Sequence, residues 1–170
     1  MKKLLLAGFA AAGLLAPACA SAKDTASAAI RGLHGEDYGT VTLTDTTGGV
    51  LLKMELKGLP AGAHGVHIHA TGKCDAPFSS AGAIYNPDNA SHGFMSEDGP
   101  EAGDLPNIHV PESGALTVES LAPTVSLDED EDGTLFDDDG SAIVITADAD
   151  DYSSDPDGKS GARIACGIIK

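Results

Sequence analysis

Residues 62–74 read GAHGVHIHATGKC and place His67 and His69 two positions apart around a β-branched Ile68. A strand sends successive side chains to opposite faces, so both imidazoles would leave the same face. Two histidines on one strand face form half of a metal site, since a divalent ion takes about four donors. The question is what they hold and where the remaining donors lie.

The segments on either side repeat the strand pattern. "GTVTLTD" (39–45) alternates with period two, and "GVLLKMELKGL" (49–59) is bounded by "TTGG" and "PAG". "GALTVESL" (114–121), "SAIVITA" (141–147) and "ARIACGII" (162–169) read likewise, with turn residues between them. No long amphipathic helix follows residue 22. Trp is absent and aromatics make up only 4% of the chain, so the core must be Val, Ile, Leu and Ala. Short strands at this spacing predict an all-β fold, a sandwich or flattened barrel of about eight antiparallel strands. Two long connections interrupt it: 70–106, rich in Gly, Pro, Asp and Ser, and 122–140, rich in acid. Loops of such length in one domain are expected to be functional or ordered by something.

The first 22 residues read as a leader: basic "MKK", apolar "LLLAGFAAAGLLA", and "ASA" before Lys23. The remaining 23–170 suffice for one domain, and the expected location is exported, in a periplasm. The alternative is a lipoprotein anchored through Cys19, although "APAC" is a poor lipobox because Ala16 stands where Leu is usual. Outside the leader only Cys74 and Cys166 remain. In an oxidising compartment they are expected to form a disulfide, the alternative being two buried thiols. The formal net charge of −16 becomes −18 once Lys2 and Lys3 leave with the leader. That excludes nucleic acid as a partner, and a membrane too unless Cys19 is lipidated.

"GAHGVHIH", "GKCDAPFSSAGAIYNP", "SHG", "AGDLPNI" and "ADADDYSSDPDGKSGARIACGII" occur in that order. With them the chain, over about residues 28–169, resembles the copper/zinc superoxide dismutases, especially the bacterial exported type. The resemblance implies a Greek-key β-sandwich whose two long loops build the metal sites. It also allows the family's ligands to be placed one by one. His67 and His69 match the two copper histidines of the H-x-H motif. The bridging histidine of G-H-F/Y-N-P falls on Ile84. His92 matches a zinc histidine. The histidine of H-x-G-D falls on Glu101, a candidate oxygen ligand, and its aspartate on Asp104. The last copper histidine falls on Thr146.

The surroundings match better. Asp150 stands at the carboxylate that orients a copper and a zinc histidine together, here His67 and His92. Arg163 stands at the anion-guiding position beside the copper, and His64 at a structural histidine behind the ligand strand. The resemblance therefore implies partial sites for copper, held weakly or as Cu(I), and for zinc, or no bound metal. Two imidazoles alone do not give Cu(II) the tetragonal nitrogen and oxygen set it favours. A negative chain also repels an anionic substrate. The expected function is a non-catalytic or very weakly active metal-binding homologue. Two alternatives stand beside it: an active superoxide dismutase with a rearranged copper site, and a module that binds a ligand or partner in the vacated cleft.

Three weaker signals remain. Asp128, Asp130, Asp132 and Asp139 show the spacing of a calcium loop, without its terminal Glu or flanking helices; the alternative is a solvated acidic loop. Met95 offers a thioether three residues after His92, or mere packing. His34 and His109 read as surface residues.

Overall fold

The computed structural model describes residues 24–170; the leader, its cleavage site and Cys19 lie outside the described residues. The strands are β1 (Thr25–Gly32), β2 (Asp37–Thr46), β3 (Gly49–Leu56), β4 (Gly62–His64), β5 (Val66–His69), β6 (Ile108–Val110), β7 (Leu116–Ala122), β8 (Ala142–Thr146) and β9 (Arg163–Ile168). Seven pair in the order β5-β8-β9-β1-β2-β3-β7, and β4 pairs with β6. Every one of these ladders is antiparallel. β4 and β5 are one run of chain broken at Gly65, so the two sheets continue into one another as a curled half-barrel. The expected all-β class and strand number hold.

The break has a steric cause. A Cβ on Gly65 would lie 2.6 Å from Thr146 Oγ1 and 3.1 Å from Ser160 Cβ, so only glycine lets the strand pass there.

Two strands were not foreseen. β1 reads TASAAIRG, and its alternation of exposed and buried positions is complete, yet Ala and Ser carry little β-propensity. β6 has only three residues, between Pro106 and Pro111. The core is aliphatic as expected: Ile30, Leu43, Leu52, Met54, Ile68, Ile143 and Ile145 are all buried from β1, β2, β3, β5 and β8.

The loops are ordered by identifiable contacts. Cys74 and Cys166 form a disulfide that ties the 70–106 loop to β9, closing a separation of 92 residues. A disulfide of this kind typically stabilises by about 2–4 kcal/mol. The same loop doubles back along the free edge of β5: Ile68 N–H donates to Gly103 O, and Tyr85 N–H to Ile68 O, both at 2.9 Å. A Cβ on Gly103 would sit 2.2 Å from Ile68 O, so this approach also needs glycine. The loop thereby lays Asp104 opposite His67 and Ile84 opposite His69.

The acidic loop 122–140 is held by Leu127 and Leu135, both fully buried. Leu135 N–H donates to Ser126 O at 2.9 Å, and Asp128 Oδ1 accepts the Asp130 N–H at 3.0 Å. Among the described residues no group of three acidic donors converges at 128–139.

Candidate metal centre

His67 and His69 share a face of β5, with ring centroids 6.3 Å apart. Each has one nitrogen engaged. His67 Nε2 lies 2.7 Å from Asp150 Oδ2, and His69 Nδ1 lies 3.1 Å from Gly82 O. A neutral imidazole has one N–H, and both acceptors require it on that engaged nitrogen. The lone pairs are left on His67 Nδ1 and His69 Nε2, the form a metal ligand needs. Burial, reinforced by the Arg163 charge, pushes His69 down to about 3, so its ring is neutral.

Asp150 joins this pair to a second cluster. Its carboxylate faces His67 and, at 3.2 Å, His92 Nε2. The other edge of His92 faces two more carboxylates. Nδ1 lies 3.2 Å from Glu101 Oε2 and 2.9 Å from Asp104 Oδ1. The N–H direction serves Glu101, and Asp104 Oδ1 is a buried oxygen with no hydrogen bond. Its partner Oδ2 accepts the N–H groups of Gly93 and Glu101, at 2.8 and 2.9 Å. Asp104 is therefore fixed by one oxygen while the other faces the histidine unsatisfied.

The charges respond accordingly. Burial pushes His92 down, but Asp104, Asp150 and Glu101 outweigh it and its pKa is raised. Burial and the Asp104 charge raise Glu101, partly offset by His92. Burial raises Asp150, but hydrogen bonds from His67, the Tyr152 N–H and His92 bring it below the usual carboxylate range. A site that draws a proton onto an imidazole between three carboxylates also attracts a divalent cation.

His67, His92, Asp104 and Asp150 offer donor atoms within 4.8 Å of one another, all buried. They do not surround one ion, because Asp150 stands on the Nε2 edge of His92 and Asp104 on the Nδ1 edge. Asp150 is a connector. His92 Nδ1 faces both Asp104 Oδ1 and Glu101 Oε2, although Glu101 stands outside the four-residue group.

Of the other residues singled out by sequence, Ile84, Thr146, His64 and Arg163 lie around the site, and Met95, His34 and His109 are exposed. Ile84 is buried and apolar beside His69. The Thr146 hydroxyl lies 3.2 Å from both Gly65 O and Asp148 O. His64 lies with its ring nitrogens 2.9 Å from Thr146 O and Pro60 O, holding the strand break. Arg163 donates to Phe78 O at 2.8 Å and Gly82 O at 2.7 Å. Met95 is 74% exposed and makes no core packing.

Sequence reading missed several supports. Asn107 clamps the Asp150 backbone, donating to its carbonyl at 2.9 Å and accepting its N–H at 2.8 Å. Asn86 donates to Glu101 Oε1 at 2.8 Å. Gly158 (φ +61°) leaves no room for a Cβ, which would lie 1.8 Å from Asp150 Oδ1. None is itself a ligand type the motifs mark, although Asn86 follows Ile84 inside the G-H-F/Y-N-P stretch and Asn107 closes "AGDLPN"; the glycine between Asp157 and Lys159 signals a left-handed turn.

Residues 37–169 match the model of the family described as copper/zinc superoxide dismutase (SODC). The chain is 46% identical over 138 residues to a Cu-Zn superoxide dismutase 1 of Aquifex aeolicus, covering 80% of this chain and 82% of that one. It is 45% identical over 111 residues to the superoxide dismutase-like protein YojM of Bacillus subtilis, covering 65% of this chain and 57% of that one. A crystal structure of a SOD-like protein from Bacillus subtilis superposes with a TM-score of 0.82 at 35% identity, over 85% of this chain and 97% of that one. A double mutant of a SOD-like protein from the same organism, in which a tyrosine and a proline are replaced by histidine, superposes with a TM-score of 0.81 at 37% identity, over 84% of this chain and 95% of that one. The chain belongs to the copper/zinc superoxide dismutase family.

Proposed function

We propose that the chain is an exported metal-binding member of this family in which dismutation is absent or strongly impaired. The observation that carries the reading is the unsatisfied Asp104 Oδ1, 2.9 Å from His92 Nδ1. Donors around a tetrahedral zinc, bound at 2.0–2.2 Å, lie about 3.3 Å apart. The spacings of 2.9 and 3.2 Å around His92 Nδ1 fit that edge after a small expansion. His92, Asp104 and Glu101 would hold zinc, and zinc when bound supplies a fixed positive charge at the root of the long loop. Asp150, itself held by His67, holds His92 in place through its far nitrogen.

The copper side does not fit redox cycling. His67 and His69 are the two imidazoles there, and Ile84 and Thr146 stand where the resemblance places two further histidines. Ile84 has no donor atom, and the Thr146 hydroxyl is engaged with carbonyls. Two imidazoles hold copper weakly.

The second reading, an active dismutase with a rearranged site, draws on the 46% identity to a protein named as a dismutase. Metal titration of the chain lacking residues 1–22 tests the assignment. Replacing His92 and Asp104 should remove zinc, and replacing His67 and His69 should remove copper. If both double variants bind as the unaltered protein does, the acidic surface holds the metal and the site assignment is wrong.

A further inference from the structure

The carboxylate of Glu101 is held from behind. Asn86 Nδ2 donates to Glu101 Oε1 at 2.8 Å and also to Ala90 O at 2.8 Å, while Asn86 Oδ1 accepts the Ala90 N–H at 2.9 Å. The amide is fixed at both ends, so it presents Glu101 in one orientation. With Oε1 turned to Asn86, Oε2 is the oxygen that faces His92 Nδ1, at 3.2 Å. Asp104 is arranged the same way, with Oδ2 taken by two backbone N–H groups and Oδ1 unsatisfied. Two carboxylates, each offering one oxygen, and one imidazole nitrogen thus converge.

Among the described residues no four-donor group includes all of His92, Asp104 and Glu101. His67 and Asp150 complete the buried cluster: they meet at 2.7 Å through His67 Nε2, and Asp150 stands on the Nε2 edge of His92, away from Asp104 and Glu101. The neighbouring buried side chain on the loop is Ile84, which has no donor atom.

We infer that Asn86 is a positioning residue that makes Glu101 a one-oxygen metal ligand, and that the resulting His92–Asp104–Glu101 shell keeps one coordination place open for water or a small anion. This rests on the zinc reading above and goes beyond it. Closed four-donor shells hold structural zinc, whereas three protein donors leave the ion open to an outside ligand.

Cobalt(II) alone, as a spectroscopic stand-in for zinc, tests this on the chain lacking residues 1–22 and carrying His69→Ala, so that the two-histidine side does not contribute. One equivalent of Co(II) should bind, and azide should shift its visible bands. Asn86→Asp keeps the acceptor for the Ala90 N–H and loses the donor to Glu101; Co(II) affinity should fall about 10–100-fold, the range for outer supports of metal ligands. Glu101→Gln, nearly isosteric, should fall at least as far and does not depend on whether the Asn86 variant folds. If Asp104→Asn binds Co(II) unchanged, the zinc reading itself fails. If Asp104→Asn loses the metal while both Asn86→Asp and Glu101→Gln keep it, the zinc reading stands and this inference is overturned. Bands indifferent to azide overturn it as well.

Discussion

His69 and Arg163 meet on one acceptor, the carbonyl oxygen of Gly82, at 3.1 and 2.7 Å. The second guanidinium donor goes to Phe78 O. Arg163 therefore stitches the loop over β9, and through Gly82 it fixes the nitrogen that His69 turns away from the metal side. Arg163→Leu should destabilise the protein by about 1–3 kcal/mol, the range for charge-assisted hydrogen bonds. Amide exchange should quicken at 78–83 while the disulfide stays intact. Unchanged exchange there would show that the arginine does not hold the loop.

Gly158 backs the hydrogen bond between Asp150 and His92. Its φ of +61° disfavours any side chain, and a Cβ would sit 2.9 Å from His92 Nε2 as well as against Asp150. Gly158→Ala should lower zinc affinity by about 10–100-fold with no ligand removed. Calorimetric titration with zinc checks this, and an unaltered affinity would mean that Asp150 does not need its present position.

Gly158 lies beyond what the sequence made legible. His67 and His69 were legible from their spacing on a strand, and His92, Asp104 and Asp150 through the resemblance; the structure brings His67, His92, Asp104 and Asp150 together, with His69 beside His67. Gly158, Gly103 and Asn107 act through backbone clearance and backbone hydrogen bonds, which leave little trace in one sequence. In the fold, β2, β3, β8 and β9 were legible from alternating aliphatics. β1 was not, because Ala26 and Ala28 fill an inward face with side chains too small to mark it. The order of loop 122–140 was foreseen in outline, but its anchors Leu127 and Leu135 lie inside an acidic run that drew attention to calcium.

Away from the site, Asp37 is held down to about 2 by Lys57, by the Gly39 N–H and by Arg31, with the partial opposition of burial. A lowered carboxyl stabilises the fold above its ordinary value near 3.8 and stops doing so as the pH falls through about 2. Asp37→Asn should therefore unfold at lower denaturant concentration than the unaltered protein at pH 6. The two should converge near pH 2. A gap that persists at pH 2 would assign the effect to something other than this charge.

Ile84, Glu101 and Thr146 stand where the resemblance places three histidines. The triple change Ile84→His, Glu101→His, Thr146→His should rebuild both sites around the existing Asp150. Without metal the variant should be less stable by about 1–3 kcal/mol, because a buried imidazole at 84 lacks a partner. Copper and zinc should each bind near one equivalent and restore stability by linkage. Some dismutation should appear, held down by the acidic surface. A folded triple variant with no gain in copper affinity would refute the placement.

The central claim is that metal binding survives where dismutation does not. Metal content and superoxide dismutation should be measured together on the chain lacking residues 1–22, loaded with zinc and excess copper. The expected result is zinc at His92, Asp104 and Glu101, with a dismutation rate at least about 100-fold below that of a family member with all its ligands, since changes to supports alone cost about 10–100-fold. A rate in the family's ordinary range that a copper chelator abolishes would contradict it.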